Sequence, residues 1–337
     1  MFRSKIFSKR IFKYQNRFPY FTPFRNQIPI IDVSALISLK SSVQERKNVG
    51  IAIHKASTHI GFFYIKGHGF SSNETDQILD LQTKFFNLPL NEKNKINMIN
   101  SDTFRGYQNT GTNVTLGYRD WHEAIDLMRE NSGPFVQNPL QGINQWPEHP
   151  ENFKSTIMNY QNKMHNLGNN IMKGIALANN LPEHYFKTMF NDSFWVMRLI
   201  SYPPRLHDID NGIGCGEHTD YGFLTFVNQD HHKDCLQVRS STGEWINANP
   251  IPGTFVVNIG DMMRIWSNGL YSSTLHRVQH PKTGVRQSNA YFYEPGFDVV
   301  IKPERKVNKN VNTDMKPIKY GNHLCSKVFT NFKFGPS

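Results

Sequence analysis

The chain has 337 residues, 38% hydrophobic, 13% aromatic and 19% charged, long enough to bury a core without cross-links and too apolar for a disordered chain. Three cysteines, Cys215, Cys235 and Cys325, stand far apart with no CxxC pair. That excludes a disulfide scaffold and a thiolate zinc site, and it suits a reducing compartment. The net charge of +11 invites a nucleic-acid reading that its distribution then removes.

Residues 1–31 carry Arg3, Lys5, Lys9, Arg10, Lys13, Arg17 and Arg25, with no acid before Asp32. Without those seven, 31 basic residues face 27 acids, so the body is mildly basic and offers no electrostatic footprint for DNA or RNA. The tail, residues 1–26, sets Phe2, Ile6, Phe7, Ile11 and Phe12 at roughly helical intervals among the charges. That is the composition of a mitochondrial transit peptide; the alternative is a disordered basic extension without an address. The expected location is therefore cytoplasmic or mitochondrial, not secreted. No run of the chain approaches the ~18 apolar residues of a membrane-spanning helix.

From residue 27 to 150 the pattern is that of a folded N-terminal region. Ile28–Val33 reads as a short strand, and Gly61-Phe62-Phe63-Tyr64-Ile65 as a buried strand ended by Lys66-Gly67-His68-Gly69. Residues 72–97 read as one or two helices, and 101–150 as long loops with a strand near Trp121–Met128. In 151–190 one helix dominates: Phe153, Ile157, Tyr160, Met164, Leu167, Ile171 and Ile175 draw a single apolar stripe, and Pro182 ends it. Such a stripe predicts packing against a sheet.

Beyond residue 190 the period falls to two. Short β-rich runs at 194–197, 224–227, 236–238, 254–259, 276–278 and 289–293 alternate with Asn-Gly, Thr-Gly and Pro-Gly turns. The predicted fold is α+β, mainly β: a jelly-roll core over 191–300 behind a helical N-terminal portion, with 301–337 as a C-terminal extension.

His218-Thr219-Asp220 places an imidazole and a carboxylate two residues apart, and residues i and i+2 of a strand share a face. His276 on a later strand would complete two histidines and one carboxylate, the set that leaves coordination positions open in non-haem Fe(II) oxygenases. An HxD pair alone carries little, and His232-Lys233-Asp234 is a second one, set in a polar run that reads as a solvated turn. Arg286-Gln287-Ser288 follows His276 by ten residues. A buried arginine needs an anionic partner, and a dicarboxylic co-substrate would supply one, with Ser288 and the Tyr202 phenol beside it. Taken alone, Arg286 reads as a surface charge at a strand edge rather than as a ligand contact.

The runs His218-Thr219-Asp220-Tyr221-Gly222-Phe223-Leu224-Thr225, Trp266-Ser267-Asn268-Gly269 through His276-Arg277-Val278, and Arg286-Gln287-Ser288 together resemble the isopenicillin N synthase-like family of iron- and 2-oxoglutarate-dependent dioxygenases. The front agrees, through Ile28–Asp32, Gly61–Gly69 and Arg105-Gly106-Tyr107. The resemblance covers roughly residues 27–300 and implies a double-stranded β-helix core. It carries Fe(2+) ligation onto His218, Asp220 and His276, and 2-oxoglutarate contacts onto Arg286, Ser288 and Tyr202. His68 belongs to the motif as a turn residue, not a ligand. Plant members usually have Asn and Cys where this chain has Ile200 and Arg205, which places it nearer microbial members.

What the resemblance implies is oxidation of a small organic molecule by dioxygen, as hydroxylation, desaturation or ring closure, in a chain expected to be a monomer. Some relatives with the same Arg-x-Ser dispense with 2-oxoglutarate and draw electrons from the substrate or from ascorbate; a non-catalytic binding module is the alternative of another class. For the substrate pocket the candidates are Arg105, Tyr107, Arg205, Trp121 and Phe292, residue types that more often meet solvent or pack a core.

Overall fold

The computed structural model describes residues 27–115, 118–130, 139–204, 213–304, 306–308 and 315–331; the basic tail and Arg205 lie outside them. The strands of the core are β1 (Ile30–Asp32), β2 (Phe62–Lys66), β3 (Gly106–Gln108), β4 (Val114–Thr115), β5 (Tyr118–Arg119), β6 (Glu123–Met128) and β7 (Val196–Tyr202), followed by β8 (Ile213–His218), β9 (Leu224–Gln229), β10 (Leu236–Arg239), β11 (Trp245–Asn247), β12 (Phe255–Ile259), β13 (His276–Gln279) and β14 (Arg286–Tyr293). An eight-stranded sheet runs in the order β1-β2-β12-β9-β14-β7-β6-β3, and a four-stranded sheet in the order β11-β10-β13-β8. Every pair within them is antiparallel except β1–β2. The predicted jelly-roll class holds.

The large sheet is buried on both faces, and its strands show it. In β2, Phe63 and Ile65 join the cluster that packs against the helices, while Phe62 and Tyr64 join a second cluster with Leu236, Val238 and Val278 of the small sheet. A strand covered on both sides has no reason to alternate polar and apolar residues, so it reads as a continuous apolar run. The helix predicted over 152–181 spans Phe153–Ala178, and all seven stripe residues are buried. Helices Val43–His59 and Ser72–Phe86 begin with capping boxes, Ser42 with Glu45 and Ser71 with Glu74, which satisfy backbone donors left over at a helix start. No helix among the described residues is long and apolar enough to cross a membrane.

Helix Val43–His59 lies on the long helix at a glycine contact. A methyl group on Gly50 would sit 1.9 Å from the carbonyl oxygen of Gly174. Backbone cannot yield as a side-chain tip does, so Gly50→Ala is expected to push the two helices apart. The overpacking costs ~1–3 kcal/mol, and a thermal melt should show a Tm several degrees lower. An unchanged Tm would mean that the helices separate freely.

Strand β7 differs from the expected 194–197 segment by running on to Tyr202. Arg198, Ser201 and Tyr202 lie beyond the apolar run that marks the strand in the sequence. They are tolerated because β7 is paired along its length with β6 and β14 and its polar side chains find buried partners. His68 is a turn residue, as expected: its Nε2 lies 3.2 Å from the Gly253 carbonyl, Phe70 N–H donates to its Nδ1 at 3.2 Å, and its ring lies 4.4 Å from that of Phe255.

Candidate active site

Between the two sheets lies a cavity of about 560 Å³. Its wall is written by the two-residue alternation of the strands. From β14 the inward row is Arg286, Ser288, Ala290 and Phe292; from β7 it is Tyr202, Ile200, Arg198 and Val196. These rows pair directly, Arg286 with Tyr202, Ser288 with Ile200, Ala290 with Arg198 and Phe292 with Val196.

His218, Asp220 and His276 meet on this wall, with ligand atoms all within 4.8 Å of one another. His218 ends β8, His276 starts β13, and the two residues are direct cross-strand partners, which sets their ring centroids 4.2 Å apart. Asp220 lies beyond the end of β8, in the turn, so it arrives by the turn and not by the strand alternation expected of an HxD pair. Its Oδ1 is 3.7 Å from His218 Nε2 and 3.6 Å from His276 Nε2.

The surrounding hydrogen bonds orient all three. His218 Nδ1 faces the Gly216 carbonyl at 2.8 Å and His276 Nδ1 faces the Thr274 carbonyl at 3.1 Å. A carbonyl can only accept, so each Nδ1 carries the proton and each Nε2 presents a lone pair to the common point. Asp220 Oδ2 accepts from Thr225 Oγ1 at 2.5 Å and from Asn258 Nδ2 at 2.6 Å, leaving Oδ1 for a ligand. Burial pushes His276 down to about 4, so it is neutral at physiological pH. Burial opposes charge on Asp220, but the imidazoles of His276 and His218 and the donors Asn258 and Thr225 outweigh it and hold the carboxyl below its ordinary value. Burial opposes charge on His218, but Cys215 and Asp220 beside it outweigh burial and raise its pKa to about 10, so a metal ion at the common point would take the place of the Nε2 proton. Two imidazole nitrogens and one ionised carboxylate on one side of an open point are a donor set that fits Fe(II).

Arg286 is 1% exposed. Its Nη1 donates to Ser288 Oγ at 3.3 Å, its Nη2 donates to Gln229 Oε1 at 3.1 Å, and its guanidinium lies 4.9 Å from the centre of the Tyr202 ring. Its Nε has no hydrogen-bond partner among the described residues, and no carboxylate there pairs with it. A buried cation with neutral neighbours calls for an anionic ligand.

Residues 191–295 match the 2OG-Fe(II) oxygenase superfamily, and residues 28–149 match the N-terminal domain described for the non-haem dioxygenase in morphine synthesis. A homoarginine-6-hydroxylase of Glycine max is 44% identical over 325 residues, covering 91% of this chain and 98% of that protein. The chain belongs to the 2OG-Fe(II) oxygenase superfamily. A second homoarginine-6-hydroxylase, from Arabidopsis thaliana, is 44% identical over 92% of this chain and 99% of its own. Among solved structures, a full-length Neurospora crassa protein in complex with alpha-KG superposes with a TM-score of 0.78 at 28% identity, covering 89% of this chain and 95% of that one. This oxygenase is thus an oxidoreductase that uses Fe(II) and 2-oxoglutarate, with dioxygen, on a small molecule. The placement nearer microbial members is corrected by the two plant proteins: two motif positions, Ile200 and Arg205, weigh little against identity along nearly the whole chain.

Of the pocket candidates, Phe292 lines the oxygenase cavity. Arg105 and Tyr107 do not, and the structure shows why. Arg105 is fully buried and donates to the carbonyls of Leu140 at 2.6 Å, Arg129 at 3.0 Å and Thr103 at 3.1 Å, tying loops together. Tyr107 sits on β3, the edge strand, and donates to Glu123 at 2.6 Å, a carboxylate also paired with Lys93. Trp121 lies against Gly111, outside the cavity wall. The second HxD pair is a turn: His232 pairs with Asp230, and Asp234 accepts from Asn247.

Several residues of the site escaped the sequence reading. Asn258 and Thr225 interrupt apolar strands, and a lone polar residue in such a run was a usable signal. Gln229 and the Asp126–Arg198 pair gave none. Nor did the helix Tyr320–Asn331, whose Leu324, Lys327, Val328 and Thr330 close one side of the cavity; the segment taken as a C-terminal extension is part of the wall.

Proposed function

We propose that His218, Asp220 and His276 hold Fe(II), that Arg286, Ser288 and Tyr202 take 2-oxoglutarate, and that the substrate is a guanidino amino acid of the homoarginine kind, which this oxygenase hydroxylates. The observation that carries the substrate class is the 44% identity, over at least 90% of both chains, to proteins named homoarginine-6-hydroxylases. Of the wall's carboxylates outside the ligand set, Asp126 is paired with Arg198 and Glu217 faces Arg239 and Arg277. Asp120 makes no ion pair among the described residues and is the carboxylate that can meet a cationic group of the substrate.

Bound Fe(II) with 2-oxoglutarate and dioxygen supplies the oxidising power for a C–H bond. The chain's own residues do the rest. Arg286 forks the far carboxylate of the co-substrate, and Ser288 and Tyr202 fix its direction. The hydrogen bonds of Asn258 and Thr225 keep one Asp220 oxygen pointed at the common centre, and the two sheets exclude bulk water.

The test is succinate formation from 2-oxoglutarate with L-homoarginine, L-arginine and L-lysine. Stimulation by L-homoarginine of about tenfold or more over the substrate-free rate is expected; intact substrate-free decarboxylation that none of the three raises would overturn the substrate class. Asn258→Ala is expected to weaken Fe(II) affinity about 10–100-fold, as loss of an outer-shell partner does. Iron titration checks it, and wild-type affinity would show that Thr225 alone orients Asp220.

The same reading includes a monomer acting on a small molecule and not on nucleic acid. It also places the protein in the cytosol, or in mitochondria where residues 1–26 act as an address. Light scattering and the distribution of a full-length fluorescent fusion test these two points.

A further inference from the structure

Arg198 is the second arginine of the cavity wall. It stands on the same inward row of β7 as Tyr202, four residues away, and at ~3.3 Å per residue the two are ~13 Å apart along the strand. Tyr202 is the cross-strand partner of Arg286, and Ala290 is that of Arg198. The two guanidinium groups therefore serve different parts of the cavity. A five-carbon diacid that reaches from the metal to Arg286 does not also reach Arg198.

The side chain of Arg198 is held on two of its three nitrogens. Nε faces Asp126 Oδ1 at 3.3 Å, and neither atom completes a hydrogen bond among the described residues. Nη2 donates to Gln108 Oε1 at 3.2 Å and faces His122 Nε2 at 3.4 Å. Gln108 also donates to Asp126 Oδ2 at 2.6 Å, and His122 Nδ1 is fixed by the Gly214 carbonyl at 2.7 Å. Nη1 makes no hydrogen bond among the described residues. The arrangement braces a guanidinium from behind and leaves one donor edge toward the cavity, which is how an arginine receives a carboxylate.

We propose that Arg198 takes the carboxylate of the substrate, with Asp126, Gln108 and His122 as positioning residues. The inference deepens, and rests on, the amino-acid reading given above: the carboxylate anchors at Arg198, and the cationic side chain extends toward the metal ligands. Lys327, whose ammonium lies 5.7 Å from the centre of the Tyr221 ring, is the rival cation.

The experiment is calorimetric binding to Fe(II)-loaded, 2-oxoglutarate-bound protein without oxygen. The probes are L-homoarginine, L-arginine and 3-phenylpropanoate, each beside its primary amide. Wild-type protein should prefer acid over amide by about tenfold or more, as expected for a charge-assisted bond. The preference should fall to about threefold or less in Arg198→Gln and persist in Lys327→Met. Arg198→Gln leaves the buried Asp126 unpaired, so the double variant Asp126→Asn, Arg198→Gln and the charge-keeping Arg198→Lys accompany it; both should also lose the preference.

Survival of the preference in the Arg198 variants, or its loss in Lys327→Met, overturns the proposal. If L-homoarginine and its amide bind equally, Arg198 is not the anchor while the homoarginine reading stands. If L-homoarginine does not bind but another acid does, with a preference that depends on Arg198, the substrate reading falls and the anchor stands. Binding of none of the acids overturns the anchor as well.

Discussion

His276→Ala protein is expected to lose stoichiometric Fe(II) binding and all detectable succinate formation together, and His218→Ala should behave alike. Each imidazole presents Nε2 to the point that Asp220 Oδ1 also faces, and each is held there by a backbone carbonyl on Nδ1. With three protein donors there is no spare. Removing one leaves two, and a metal–ligand distance tolerates only ~0.2 Å of error, so no neighbour can substitute. Cys215 Sγ, 3.8 Å from His218 Nδ1, sits on the side of the ring away from that point. The fold should survive, because the truncated side chain belongs to a cavity wall and leaves the backbone pairing of β8 with β13 untouched. Iron content by elemental analysis and the far-ultraviolet circular dichroism of the variants check both halves. A His276→Ala protein with one iron per chain would remove His276 from the ligand set.

Arg286→Lys is expected to raise the KM for 2-oxoglutarate at least tenfold while Fe(II) binding is retained. Lysine keeps the charge but not the geometry: an ammonium cannot give two parallel hydrogen bonds to one carboxylate, nor place a planar guanidinium 4.9 Å from the centre of the Tyr202 ring. A factor of ten corresponds to about 1.4 kcal/mol, a modest fraction of what a largely desolvated charge pair can lose. The hydrogen bonds from Arg286 to Ser288 and Gln229 would also be vacated, leaving the buried Ser288 and the half-buried Gln229 without their donor. Co-substrate titrations at saturating substrate measure the change. An unaltered KM would mean that the far carboxylate is held elsewhere, and Arg286 would then be a structural cation beside the Tyr202 ring.

Much of the architecture was legible because it obeys local rules. The stripe Phe153, Ile157, Tyr160, Met164, Leu167, Ile171 and Ile175 is a helix against a core, and the structure buries every member. Phe62–Ile65 reads as a strand because both its faces are covered. Where polar residues face inward the local rules misread the chain. The apolar run at 194–197 stops short of the end of β7, whose second half carries Arg198 and Tyr202 facing the cavity, and β14 begins at Arg286, earlier than the apolar run at 289–293 suggested. Arg105 and Tyr107 take the course that is commoner for their types and serve the packing of the fold. The guanidinium is satisfied by backbone carbonyls, and the phenol by a paired carboxylate.

By itself, the sequence determined the donor types and their order along the chain: His218 and Asp220, His276 after them, then Arg286 and Ser288. Motif spacing preserves that order, because each pair lies on or beside a strand whose period is two. Only the tertiary structure decided that the donors share one point. The pairing of His218 with His276 across β8 and β13 is a contact between distant segments, and no local pattern encodes it. The same holds for the two arginines. Their charge is written in the sequence, but whether a charge is paired depends on what the fold brings beside it. Arg286 meets neutral partners and is left to an anionic ligand, whereas Arg198 meets Asp126, Gln108 and His122 and keeps a single edge open to the cavity.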